Sequence, residues 1–171
     1  MIRFLYLYLS IAVILLFSYC SNSTSSDEKE DNVDVFYSNS FESPSDTIGW
    51  KGNIELNNDT PRNGGNKSIR VSGGCIWPHT YFLFHSIRED CSLIIRCWGK
   101  DLLIGGSVYL GNIENPYEGI YINVDNKSWY KYTSLDTLIC HASDTLMISL
   151  NSGGDNPSAM IIDNIEIIKV K

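Results

Sequence analysis

Ile120-Tyr121-Ile122-Asn123-Val124 alternates apolar and polar side chains without a break. Successive side chains of an extended strand point to opposite faces, so 120, 122 and 124 turn toward a core. Tyr121 and Asn123 then turn toward solvent. The same period runs through neighbouring segments. Val108 and Leu110 set Ser107 and Tyr109 outward. Leu93, Ile95 and Cys97 set Arg96 and Trp98 outward, and Leu146, Ile148 and Leu150 set Met147 and Ser149 outward. Strands are predicted near residues 34–38, 48–56, 67–72, 80–85, 91–98, 105–110, 118–124, 129–133, 135–140, 145–150 and 159–169. Clusters of Gly, Asn, Asp, Ser and Pro separate them, as in Asn63-Gly64-Gly65-Asn66 and Asp125-Asn126-Lys127. No window of eleven or more residues beyond the N-terminal segment has clear helical periodicity. About ten short strands in about 137 residues predict one all-β domain, a two-sheet sandwich. Ser134-Leu135-Asp136-Thr137-Leu138-Ile139 echoes Ser143-Asp144-Thr145-Leu146-Met147-Ile148, which predicts a hairpin of two facing strands.

The N-terminal segment reads differently. Met1-Ile2-Arg3 is a short positive leader, residues 4–17 are almost wholly apolar, and Phe17-Ser18-Tyr19 leads to Cys20. The apolar run suits a signal-peptide core of about 7–15 residues, and a spanning helix needs about 20. This order resembles a bacterial lipoprotein signal, which implies cleavage after residue 19 and lipidation of Cys20. Several acyl chains on one cysteine anchor stably where one would be marginal. Phe17 and Tyr19 stand where that motif prefers Leu and a small residue, so ordinary cleavage and an uncleaved anchor remain as alternatives. Residues 21–32 contain no apolar side chain and cannot bury surface, which predicts a disordered acidic tether over residues 20–34. The acidic cluster also resembles a surface-export tag; a plain solvated spacer explains it equally well. The expected organisation is signal 1–19, tether 20–34 and sandwich domain 35–171, with the protein lipid-anchored at the outer membrane.

The chain carries 13 Lys and Arg against 20 Asp and Glu, a net charge of −7. No basic patch exists, which argues against nucleic acid as a partner, because phosphate contacts need clustered cations. Four cysteines follow Cys20: Cys75, Cys91, Cys97 and Cys140. Three pairings are conceivable. Within one straight strand Cys91 and Cys97 stand about 20 Å apart and cannot bond. The other pairings survive, alongside free buried thiols. Cys75-x3-His79 and Cys140-His141 lack the tight spacing of a structural zinc site.

Several stretches taken in order resemble a known family. They are Asn39-Ser40-Phe41-Glu42, Gly49-Trp50, residues 60–71 with Asn63-Gly64-Gly65-Asn66, Cys97-Trp98-Gly99-Lys100, Trp129-Tyr130-Lys131-Tyr132 and residues 159–167 with Asp163. Over residues 38–169 the chain resembles the galactose-binding-domain-like jelly roll of carbohydrate-binding modules. The resemblance implies a jelly-roll sandwich with Trp50 and Trp129 in its core. It also implies a structural Ca2+ that pins the first strand, the glycine-rich loop and the last strand. Glu42 and Asp163 match the acidic positions, and the loop around Asn66 can offer carbonyls to an ion that takes six to eight oxygens. A turn contact for Asp163 and simple exposure of Glu42 are the alternatives.

If the alternating strands share a sheet, one face carries Trp98, Arg96, Tyr109, Tyr121 and Asn123. Aromatic rings stack on the apolar faces of sugars, and Arg and Asn satisfy hydroxyls. Trp77, beside Pro78 in a loop, is a further candidate at the rim, or else a plug of the sandwich end. A glycosidase needs paired carboxylates across a cleft, whereas most acidic residues here fall in separate turns. No nucleophile elbow or phosphate loop is present. The sequence therefore predicts a non-catalytic, lipid-anchored module that retains polysaccharide or oligosaccharide at the cell envelope, beside separate glycan-degrading proteins. A structural or protein-interaction lipoprotein without a sugar site is the alternative.

Overall fold

The computed structural model describes residues 33–73, 80–84, 87–115, 117–153 and 158–170. These form one unit beginning at Val33. The strands among them are β1 (Asp34–Asn39), β2 (Lys51–Gly52), β3 (Ile54–Asn57), β4 (Ser68–Ser72), β5 (Thr80–Phe84), β6 (Cys91–Asp101), β7 (Gly106–Asn112), β8 (Ile120–Val124), β9 (Tyr130–Thr133), β10 (Leu138–Cys140), β11 (Leu146–Ser152) and β12 (Ala159–Val170). Among the described residues a 3-10 turn covers Pro44–Thr47.

Two long strands, β6 and β12, pair antiparallel as the spine of a seven-stranded sheet. The free edge of β6 takes β10 beside residues 91–93 and β9 beside residues 96–99. The free edge of β12 takes β4 beside residues 159–162 and β1 beside residues 165–169, and β3 follows β4. The second sheet runs β2-β5-β11-β7-β8, also antiparallel throughout. The result is the two-sheet sandwich that the alternation predicts, in the jelly-roll form that the resemblance implies.

The inner faces make the core. Leu93, Ile95 and Cys97 of β6, Ile69 and Val71 of β4, and Met160 and Ile162 of β12 meet Val108, Leu110, Ile120, Ile122, Val124, Leu146, Ile148 and Leu150 from the other sheet. Each large aliphatic side chain buried this fully contributes about 2 kcal/mol of transfer free energy. A bulge in β12 between Asp163 and Glu166 shifts the parity. Met160 and Ile162 point inward before it, and Ile165 and Ile167 after it. Asn164 absorbs the extra residue at φ 47, a conformation that Asn tolerates better than most residues. Trp50 lies in the core, as the resemblance implies.

Three expectations need correction. Residues 48–56 make two strands in different sheets: β2 pairs with β5, and β3 with β4. Gly52, at φ 99, turns the chain between them. The echoing segments 135–140 and 145–150 form no hairpin. β10 pairs with β6 in one sheet and β11 with β5 and β7 in the other. Both segments have an apolar inner face, and they bury it across the sandwich rather than edge to edge. Trp129 is only half-buried, and its indole N–H donates to Asp59 Oδ1 at 2.8 Å. A tryptophan with a charged hydrogen-bond partner gains by staying at the margin.

Candidate functional site

Strand register lays out the outer face of the five-stranded sheet row by row. Tyr121 stands opposite Tyr109, Tyr109 opposite Ser149, Ser149 opposite Tyr81, and Tyr81 opposite Lys51. The next row places Asn123, Ser107 and Asn151 side by side. Three tyrosines therefore lie in one line across the sheet, flanked by a line of small polar and amide side chains.

The two central rings have different roles. Tyr109 and Tyr121 meet at a centroid distance of 5.0 Å and an interplanar angle of 50°. Tyr121 is 54% exposed, and Tyr109 is 0% exposed. The Tyr109 ring and hydroxyl lie against Gly111 and Gly119, where any Cβ would overlap them. Burial, with the neighbouring Tyr121 adding to it, raises the Tyr109 phenol above its ordinary value. Tyr109 points outward as its strand parity requires, but the glycine pair seats it out of solvent. It packs against the Tyr121 ring at a tilt. Asn123 is exposed beside them, and Asn151 Nδ2 donates to Ser149 Oγ at 2.9 Å.

Arg96 and Trp98 do not join this face. They belong to β6 and lie on the outer face of the seven-stranded sheet, on the other side of the sandwich. Alternation reads inward from outward but is blind to which sheet a strand enters. Arg96 Nη2 pairs with Glu166 Oε2 across the strands at 3.2 Å. Trp98 is half-buried, with Lys131 on β9 and Asp163 on β12 as its cross-strand partners. Trp77 lies outside the described residues. Tyr81 and Lys51 escape sequence reading, whereas Ser149 is read there as outward but not as a member of the face. Tyr81-Phe82-Leu83-Phe84 is apolar at every position, so its parity is illegible.

A second feature lies where the first strand, the glycine loop and the last strand converge. Phe41 is fully buried against Trp50 and holds φ 56, which aims Glu42 at the loop. Such strain in a bulky residue persists only where packing imposes it. Glu42 Oε2 accepts from the Asn66 N–H at 2.9 Å. A Cβ on Gly65, which holds φ 81, would overlap the Glu42 carboxylate, and one on Gly64 would come within 2.7 Å of Asp163 Oδ2. Glu42 Oε1 and Asp163 Oδ2 are buried without a hydrogen-bond partner. Burial, and then the charge of Glu42, pushes the Asp163 carboxyl up to about 7. A buried and a half-buried carboxylate, each with one buried unpartnered oxygen beneath a glycine loop, suit a hard cation, which takes oxygen ligands and offsets their repulsion. Glu42 and Asp163 fit that role, whereas Asn66 contributes its N–H to Glu42. Among the described residues no group of three or more His, Cys, Asp or Glu side chains gathers as metal ligands. A cation here would draw its remaining oxygens from backbone, amides and water.

Other acidic residues serve structure. Lys100 Nζ meets Asp59 at 2.7 Å, Lys127 Nζ meets Asp101 at 2.5 Å, and Lys169 Nζ meets Glu89 at 2.6 Å.

No protein-family model matches the chain, and no curated protein matches it in sequence. Its fold has solved counterparts. It is similar to the CBM22-1 xylan-binding domain of Xyn10C from Paenibacillus barcinonensis, with a TM-score of 0.57 and 18% identity over 81% of this chain and 96% of that one. It is also similar to the carbohydrate-binding module CBM6cm-2 of Cellvibrio mixtus lichenase 5A, solved with cellotriose, with a TM-score of 0.50 and 19% identity over 80% and 99% of the two chains. The K1 cleaved adhesin domain of Lys-gingipain from Porphyromonas gingivalis W83 matches at a TM-score of 0.50 and 13% identity, over 77% and 96%. The chain thus has the jelly-roll sandwich of carbohydrate-binding modules, at a distance where likeness speaks for fold alone.

Proposed function

We propose that this protein is a non-catalytic glycan-binding module, held at the cell envelope by a lipid on Cys20. The observation that carries the reading is the line of Tyr81, Ser149, Tyr109 and Tyr121 across the outer face of the five-stranded sheet, with Asn123 beside it. An exposed ring packed against a buried one gives a preorganised surface for a pyranose, and adjacent amides and hydroxyls can answer sugar hydroxyls. The xylan-binding and cellotriose-bound neighbours make a β-linked oligosaccharide the first ligand to try. Such a module would serve beside separate glycan-degrading proteins. A glycan array with the mature chain tests the reading. Retention of an oligosaccharide class supports it, and an empty array sinks it. The interaction-module alternative draws on the full burial of Tyr109, which leaves fewer rings for a sugar.

The carboxylates of Glu42 and Asp163 would hold a structural Ca2+, with loop carbonyls around Asn66 completing the set. A bound divalent cation neutralises the pair and ties the three segments together. Adding Ca2+ to chelator-treated protein should raise Tm by about 8 °C at 100-fold excess over Kd, and Asp163→Asn should abolish the rise. No response in the wild type would remove the cation.

A further inference from the structure

Cys91 and Cys140 are direct cross-strand partners, the last pair in the register of β6 and β10. Opposite residues of an antiparallel pair have Cα atoms about 4.5–5.5 Å apart, inside the range a disulfide accepts. Their side chains share the inner face, Cys140 within the core and Cys91 packed against it, and each thiol perturbs the other. The chain on either side is already fixed. Ala142 N donates to Asp90 Oδ1 at 2.8 Å, Ser143 N to the Ile87 carbonyl at 2.8 Å, and Ile87 N to the Asp144 carbonyl at 3.0 Å. The turn after β10 is thus knitted to the turn before β6, and the two cysteines sit beside the seam. Cys97 lies six residues along the same strand, fully enclosed in the core.

We propose that Cys91 and Cys140 form a disulfide in the exported protein, a covalent staple closing the β10 end of the seven-stranded sheet. The export reading supplies only the oxidising surroundings; the geometry of the pair stands without it. The oxidant is a disulfide donor, either a small molecule such as oxidised glutathione or a protein dithiol catalyst. Cys91 is the partner that solvent reaches, and Cys140 is buried. Cys91, as its thiolate, attacks one donor sulfur and expels the other as a thiolate. Cys140 then gives up its proton, attacks the Cys91 sulfur and expels the second donor thiolate. Two protein thiols are oxidised by two electrons, the donor disulfide becomes two thiols, and the two protons pass to them. Burial raises both protein thiols, Cys140 to about 12, while the Lys169 ammonium partly offsets this at Cys91. That order matches Cys91 as the entering sulfur. The staple closes a loop of about 50 residues in the unfolded chain, a length at which cross-linking stabilises strongly.

The test uses the full chain purified reduced in detergent, then incubated with oxidised glutathione at about pH 8. After alkylation and non-reducing digestion, mass spectrometry should find the Cys91 and Cys140 peptides joined, about 2 Da lighter than the free pair. Oxidised protein should melt about 10 °C above reduced protein. Cys91→Ser and Cys140→Ser should each melt near the reduced wild type and ignore reductant. Should the buried Cys140→Ser variant fail to fold, the half-exposed Cys91→Ser carries the same readout. Full alkylation of both cysteines after oxidation, or a bond from either to Cys75 or Cys97, overturns the proposal.

Discussion

Tyr109 shows how one side chain can serve a surface without touching solvent. Its ring fills the space that side chains on Gly111 and Gly119 would take, and it packs tilted against the Tyr121 ring. Gly119→Ala should therefore displace Tyr109, at a cost of about 1–3 kcal/mol for overpacking, and should weaken glycan binding more than its loss of stability explains. Thermal melts paired with calorimetric titration would separate the two effects. Asp59 makes a second residue-level case. The bond from Lys100 holds its carboxyl below the ordinary range, against the opposing pull of burial and with help from the Trp129 indole. A carboxyl lowered by folding adds stability above its unfolded value of about 4 and loses that stability as pH falls through the folded value. The pair is partly exposed and screened. Asp59→Asn should thus lower Tm by a few degrees at neutral pH and by progressively less as pH falls below the ordinary carboxylate range. An equal loss at both pH values would contradict the ion-pair origin.

At the scale of elements, the β12 bulge joins fold to site. By shifting parity after Ile162 it keeps both halves of the strand apolar inward and sets Asp163 under Gly64. Asn164→Val forces a β-branched residue to φ 47, and should cost about 1–3 kcal/mol and blunt the response to Ca2+; a melt series with and without the ion measures both. The same elements mark what the sequence could convey. Ile120 to Val124 alternates cleanly, and Leu93 to Cys97 alternates apart from the apolar Ile94 at an outward position, so inward and outward are readable there. Sheet membership is not, because period two carries no information about partners, and so Trp98 and Tyr121 fall on opposite faces. Tyr81-Phe82-Leu83-Phe84 hides its parity altogether, and with it one ring of the line. The Glu42 and Asp163 pairing was reachable only through family resemblance, since 121 residues separate the two positions and no local pattern joins them. The Cys91 and Cys140 contact depends on strand register, which sequence alone left among several pairings.

At the scale of the molecule, the described residues from Val33 onward form one sandwich unit with two chemically different faces. The five-stranded sheet presents tyrosines and amides, and the seven-stranded sheet presents cross-strand ion pairs such as Arg96 with Glu166. Removal of residues 1–32 should leave Tm and glycan binding unchanged, because the described unit begins at Val33. Cys20→Ser should move the protein from the membrane to the soluble fraction on cell fractionation, without altering either property. The faces are separated most directly by titration calorimetry of Tyr121→Ala and Trp98→Ala against xylo- and cello-oligosaccharides, with melts to verify folding. The expected result is a loss of about tenfold or more in affinity for Tyr121→Ala and wild-type affinity for Trp98→Ala. Undiminished binding by a folded Tyr121→Ala, or a loss confined to Trp98→Ala, would contradict a sugar site on the five-stranded sheet.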